Sequence, residues 1–130
     1  MRIVDLVLAV FFAAAAALQY NDPDPFRWAL EYLVACGLAL GMFRIGHWNE
    51  RQRRALGIAA ILLGMATFMW MMIWWPGMRE FMGRGAPFLL VATMVADDPV
   101  IEEGREFLGL CVVLLYSIYV IVSVQRRVVD

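Results

Sequence analysis

Two short stretches carry the side chains best suited to chemistry. Asn21, Asp22 and Asp24 lie in "NDPDP" at 21–25, and Glu102, Glu103, Arg105 and Glu106 lie in "EEGRE" at 102–106. Carboxylates in this number offer hard oxygen ligands, which suit calcium, or magnesium with retained waters. Glu102 and Glu106 stand four residues apart, and Glu103 and Glu106 three, so either pair shares a face if the segment is helical. Arg105 supplies a competing outcome, because a guanidinium can neutralise the acids through bidentate hydrogen bonds and join the two stretches structurally. The expectation is a hydrogen-bonded link without a cofactor, with a divalent cation as the alternative.

Other chemistry has fewer parts. Met65, Met69 and Met72 recur at helical spacing and could offer thioethers to a soft metal. The single histidine, His47, is far from them in the sequence, so the methionines are expected to pack. Cys36 and Cys111 sit in apolar runs without metal-ligand or redox spacing and read as buried, unreactive thiols. There is no GxSxG and no second histidine, so no residue is assigned a catalytic role.

The elements that must position these groups are membrane helices. Of 130 residues, 63% are hydrophobic, and the mean hydropathy is +0.71. That proportion is well above the soluble norm and implies one integral membrane domain over 1–130. Four apolar runs, at about 3–20, 26–43, 55–75 and 107–124, each hold enough residues to cross a hydrocarbon core of roughly 30 Å at ~1.5 Å per residue. The fold expected is therefore all-α, a four-helix bundle in the bilayer. A fifth apolar run at 86–96 is too short to cross and should be interfacial or re-entrant. Arg2 before the first run resembles a signal-peptide start, but Asp5 offsets it, and the segment reads as a retained helix.

Charge sets the orientation. Seven arginines (Arg2, Arg44, Arg51, Arg53, Arg54, Arg126 and Arg127) fall at one end of these helices and four at the other. By the positive-inside rule both termini are cytoplasmic, in a multi-pass protein of a bacterial inner membrane. Nine of the twelve acidic residues fall at the opposite, outer end. The formal net charge of -1 leaves no basic surface for a nucleic acid.

Asp24-Pro25 and Asp98-Pro99 each read as an N-cap acid with proline at the first helical position. Glu31 follows Pro25 by six residues and Glu106 follows Pro99 by seven, which places both about 9–11 Å along their helices, at or just below the outer surface. A carboxylate there must face the bundle, a partner or water, and Arg27 and Arg105 are near enough in sequence to pair with them. Gly37 and Gly41 form a GxxxG on the second helix, which lets backbones approach closely.

The chain resembles the transmembrane protein 220 family. The resemblance rests on "NDPDP", on Trp28 and Tyr32 in the helix after it, and on "EEGRE" followed by Gly109-Leu110. It implies a small four-span membrane protein and marks Asn21, Asp22, Asp24, Glu103, Arg105 and Glu106 as its motif, without implying a reaction. The function expected first is non-catalytic association with other membrane subunits, as an accessory or assembly protein. The alternative is an outer-face site, including Glu31, that binds a divalent cation or a polar headgroup for transport or processing.

Overall fold

The computed structural model describes residues 2–21, 25–83 and 99–129, and these are all-helical. Among the described residues there are four α-helices, in chain order α1 (Arg2–Leu18), α2 (Pro25–Arg44), α3 (Glu50–Gly83) and α4 (Pro99–Val129). Short 3-10 turns at Gln19–Asn21 and Ile45–His47 follow α1 and α2. Among the described residues there are no strands. Asp22, Asp24 and the apolar stretch 86–96 lie outside the described residues.

Local chemistry explains the helix ends. Pro25 and Pro99 are the first residues of α2 and α4, where a missing N–H costs nothing. At the end of α1 the Gln19 side-chain amide donates to the Ala15 carbonyl at 3.1 Å, satisfying one of the last orphan acceptors. The start of α3 is a capping box. The Gln52 amide donates to Asn49 Oδ1 at 2.9 Å, and the Asn49 amide donates to Gln52 Oε1 at 3.0 Å. Glu50 and Arg54 pair one turn apart on the exposed side of that start.

Two helices run well past the boundaries expected from hydropathy. α3 was expected over 55–75 and extends over Glu50–Gly83. The capping box starts it early, and at the far end it continues through Pro76, which forfeits only the bond to the carbonyl four residues back. The extension is held by packing of its own, with Phe81 and Ile101 at the centre of a small cluster that Met78 and Val100 complete. α4 was expected over 107–124 and occupies Pro99–Val129, so "EEGRE" is part of a helix. An apolar count finds the membrane-compatible part of a helix and cannot see its polar ends.

α2, α3 and α4 are long and apolar enough to cross a membrane, through Pro25–His47, Glu50–Gly83 and Glu103–Arg126. α1 is shorter than expected. Its 17 residues give about 26 Å at ~1.5 Å each, under the roughly 30 Å of a hydrocarbon core.

α1 packs along α2 and α3 along α4, and α2 also touches both α3 and α4. The shared core includes Phe12, Met42, Ile45, Leu110, Val113 and Val120, all essentially inaccessible. Outward faces are broadly apolar, as a lipid-facing surface must be. Met65, Met69 and Met72, expected to pack, lie on such a face, exposed at 60%, 66% and 51%. Their i, i+4, i+7 spacing fixes a shared face but not which way it points.

The two glycines of the GxxxG separate in the same way. A methyl added at Gly41 would fall 2.7 Å from Leu56 Cδ1 and 3.1 Å from the Trp48 ring, whereas one at Gly37 would meet nothing within 4 Å. Gly41 is an internal contact point, and Gly37 faces outward. Gly37→Ala is therefore expected to be neutral or to stabilise by up to about 1 kcal/mol through helix propensity. Gly41→Ala should lose that gain to overpacking, at a cost of roughly 1–3 kcal/mol. Thermal unfolding of the two variants in one detergent checks the order.

Candidate functional site

The described helices bury two carboxylates, each against a hydroxyl group on another helix. Asp5 of α1 is 2% exposed, and its Oδ1 accepts a hydrogen bond from the Tyr116 hydroxyl of α4 at 3.3 Å. The Phe12 ring lies 5.5 Å from the Tyr116 ring. Glu31 of α2 is 6% exposed, and its Oε1 accepts from Thr67 Oγ1 of α3 at 2.7 Å. Thr67 itself is fully buried. An acid inside apolar helices is costly unless it is bonded or serves a ligand, so both positions call for a reason.

The Glu31 layer has more parts. On α2, Arg27 and Glu31 are one helical turn apart. The Arg27 guanidinium lies over the Trp70 ring of α3, 3.7 Å from its centroid, in a cation–π contact. The Trp28 ring stands 6.1 Å from Trp70 and 6.5 Å from Tyr32. Tyr32 in turn lays its hydroxyl over Gly109 of α4, where any Cβ would overlap it. Thr67, Trp70 and Trp74 recur at i, i+3 and i+7 and so share one face of α3. Three helices thus build the layer: α2 gives the charged groups, α3 the hydroxyl and indoles, and α4 the flat surface that seats Tyr32.

Three buried polar atoms on these residues have no hydrogen-bond partner among the described residues: Arg27 Nε, Glu31 Oε2 and Trp74 Nε1. Two are N–H donors, and the third is a carboxylate oxygen. Native interiors rarely leave such groups unpaired, and each instance asks for an explanation. The Asp5 layer differs, since Asp5 is hydrogen-bonded and the neighbouring Ser117 donates to the Val113 carbonyl of its own helix at 2.9 Å.

The residues named from the sequence are distributed more widely. Asn21 ends the turn after α1, and Glu102 is in the first turn of α4. Glu103 is half-buried, with its carboxylate over Gly77 of α3. Arg105 and Glu106 are half-buried on α4, and Glu106 is engaged in an interaction. Of the members of that set whose side chains are described, Glu31 joins the layer with the unpaired atoms. Among the described residues no group of three or more His, Cys, Asp or Glu side chains is arranged to hold a metal ion. Cys36 and Cys111 are free thiols, each half-buried.

The sequence reading takes Asp5 only as an offset to Arg2 and Trp74 only as part of an aromatic belt, and it gives Tyr116 and Thr67 no role. Two signals were available. Asp5 is the only acid in the first apolar run, and Thr67 is the only hydroxyl-bearing residue in α3. Isolated polar residues of this kind inside an apolar helix usually face the protein interior.

No curated protein and no solved structure matches the chain. The resemblance carried by "NDPDP" and "EEGRE" does extend over most of the sequence. Residues 11–122 match the model described as Transmembrane family 220, helix, and the chain belongs to that family.

Proposed function

We propose that this chain is a small, non-catalytic, multi-pass membrane protein that holds a polar group among its helices, at the layer formed by Arg27, Glu31, Thr67, Trp70 and Trp74. The observation that carries this reading is Glu31 Oε2, a carboxylate oxygen inside a residue 6% exposed and without a partner among the described residues. A group placed solely to stiffen the helices would cost less as glutamine or leucine, since a buried acid is stabilising only when its bonding capacity is filled. The four helices are proposed to form one bundle with both termini cytoplasmic in a bacterial inner membrane, a placement supported by the seven arginines at that end. The Arg27–Glu31 layer then lies at the outer side.

This reading takes precedence over association with other membrane subunits. Outward apolar residues such as Phe26, Leu30, Leu33 and Leu40 would serve a protein partner, but lipid tails cover them equally well. A divalent cation is disfavoured at this layer because the Arg27 guanidinium would stand beside it.

Gentle extraction from the native membrane followed by intact-complex mass spectrometry and metal analysis tests the proposal. The wild type should retain a small polar molecule or lipid, and Glu31→Gln should retain less of it while keeping its helical circular dichroism. A bare wild-type chain would count against ligand binding. Recovery with a stoichiometric protein partner and no ligand would return the function to association.

A further inference from the structure

The unpaired atoms specify what the layer can accept. Arg27 Nε and Trp74 Nε1 each present an N–H, while Glu31 Oε2 presents lone pairs. A simple anion would satisfy the two donors and face the Glu31 carboxylate. A metal cation would satisfy Glu31 and face the guanidinium. A neutral polyol could bond to all three, yet would neutralise neither charge. A quaternary ammonium zwitterion would bring its anionic group to Arg27 and Trp74, but it has no N–H for Glu31. The one class that fits every atom carries an anionic oxygen group and, a short link away, an ammonium that still bears N–H donors.

The setting narrows the source. Arg27 is the third residue of α2, and its guanidinium is held over the Trp70 ring. Trp74 is one turn further along α3, followed by Trp75, whose ring is 5.9 Å from Phe107. Tryptophan is enriched at the depth at which lipid headgroups lie. Arg27 and Trp74 are only half-buried, and Phe26 and Leu30 beside them on α2 are exposed at 81% and 53%. A ligand of the layer would therefore come from the bilayer side, past an apolar surface that acyl chains would cover, and would displace the side chains that cover these three atoms.

We infer that the Arg27–Glu31–Trp74 layer recognises a phosphoethanolamine lipid headgroup, its phosphate on the Arg27 and Trp74 N–H groups and its primary ammonium on Glu31. This rests on the proposal that the layer binds a polar group. It adds selectivity for N–H-bearing ammonium over trimethylammonium, because only the former can bond to Glu31 Oε2. Charge-assisted bonds of this kind are worth enough to give about tenfold discrimination or more.

The test uses the full-length protein, delipidated in mild detergent and titrated by intact-complex mass spectrometry with phosphatidylethanolamine, phosphatidylcholine, phosphatidylglycerol and free phosphoethanolamine. The expected result is about tenfold tighter binding of phosphatidylethanolamine than of the choline and glycerol lipids, with free phosphoethanolamine weaker than the lipid. Glu31→Gln should erase the preference for ethanolamine over choline, and Trp74→Phe, which keeps a ring and removes one donor, should weaken both lipids together. Circular dichroism and melting of each variant separate lost binding from lost folding. Equal binding of the ethanolamine and choline lipids by the wild type overturns the headgroup selectivity while leaving a polar-group site. Free phosphoethanolamine binding as tightly as the lipid overturns the lipid assignment. No binding of any of the four overturns the selectivity, and a species retained in the native extraction would then still uphold the broader reading.

Discussion

Thr67→Val is expected to destabilise the protein by about 1–3 kcal/mol, although valine has nearly the shape of threonine and the site is fully buried in an apolar helix. The loss arises because Glu31 Oε1 would lose the 2.7 Å bond from Thr67, leaving both carboxylate oxygens of a residue 6% exposed without a described partner. Glu31→Leu combined with Thr67→Val should recover most of that loss, since removing both partners of a buried polar contact is far cheaper than removing one. The coupling energy from the double-mutant cycle should be of order 1–3 kcal/mol, read as thermal or denaturant unfolding in a fixed detergent. The double variant also divides two roles. If Glu31 serves a ligand, the repaired protein should be well folded and bind nothing. If Glu31 serves stability alone, the cycle should show the same coupling, and the wild type should bind no more of a polar ligand than the double variant does.

Much of the helical layout is legible in the sequence, because it depends on composition over windows of about twenty residues. Pro25 and Pro99 open α2 and α4 where their dipeptides with aspartate point, since a proline at the first helical position is a local matter. The extents are less legible. Gly77–Gly83 remains helical beyond Pro76 because Phe81 packs on Gly104 and Ile101 some twenty or more residues away, and no local pattern encodes that contact. The same limit applies to α1. Its apolar run continues through Tyr20, but the chain tightens into a 3-10 turn after Leu18, which shortens the helix below the length that the run suggests.

The site was legible to a smaller degree, for a reason that periodicity makes plain. Spacing along one helix reveals which residues share a face, and it placed Arg27 beside Glu31 as a pairing candidate. It does not reveal which neighbour a side chain prefers once other helices arrive. In the folded chain the Arg27 guanidinium lies over Trp70, and the Glu31 carboxylate takes a hydrogen bond from Thr67, so two α3 residues intervene in what looked like an α2 pair. Asp5 and Tyr116 illustrate the same point across 111 positions of sequence. A lone acid in an apolar run signals that a partner exists, whereas the identity of the partner is a property of helix packing. Motif density misleads in the other direction: "EEGRE" is rich in carboxylates, yet little more than one turn of α4 spreads its side chains around the helix, and Glu103 lays its carboxylate over Gly77.

Packing around Tyr32 yields the other large expected effect. Gly109→Ala should destabilise the protein by roughly 1–3 kcal/mol even though alanine is the better helix former by about 1 kcal/mol. The added methyl would overlap the Tyr32 hydroxyl, and the backbone of α4 cannot yield without disturbing Leu110 and Val113, which are 1% and 0% exposed in the core. Tyr32 must move instead. Its ring stacks on Trp28, Trp28 rests on Trp70, and Trp70 carries the Arg27 guanidinium, so the displacement is passed along the aromatic row to the charged layer. Binding should therefore weaken together with stability, although Gly109 lies on a helix that contributes no charged group to the layer. Tyr32→Phe in the same chain removes the atom that the methyl strikes, so Gly109→Ala paired with Tyr32→Phe should regain most of the lost melting temperature relative to Gly109→Ala alone. If the pair is as unstable as the sum of the two single changes, the α4 backbone and not the Tyr32 hydroxyl is what the methyl displaces, and the aromatic row does not link α4 to the site.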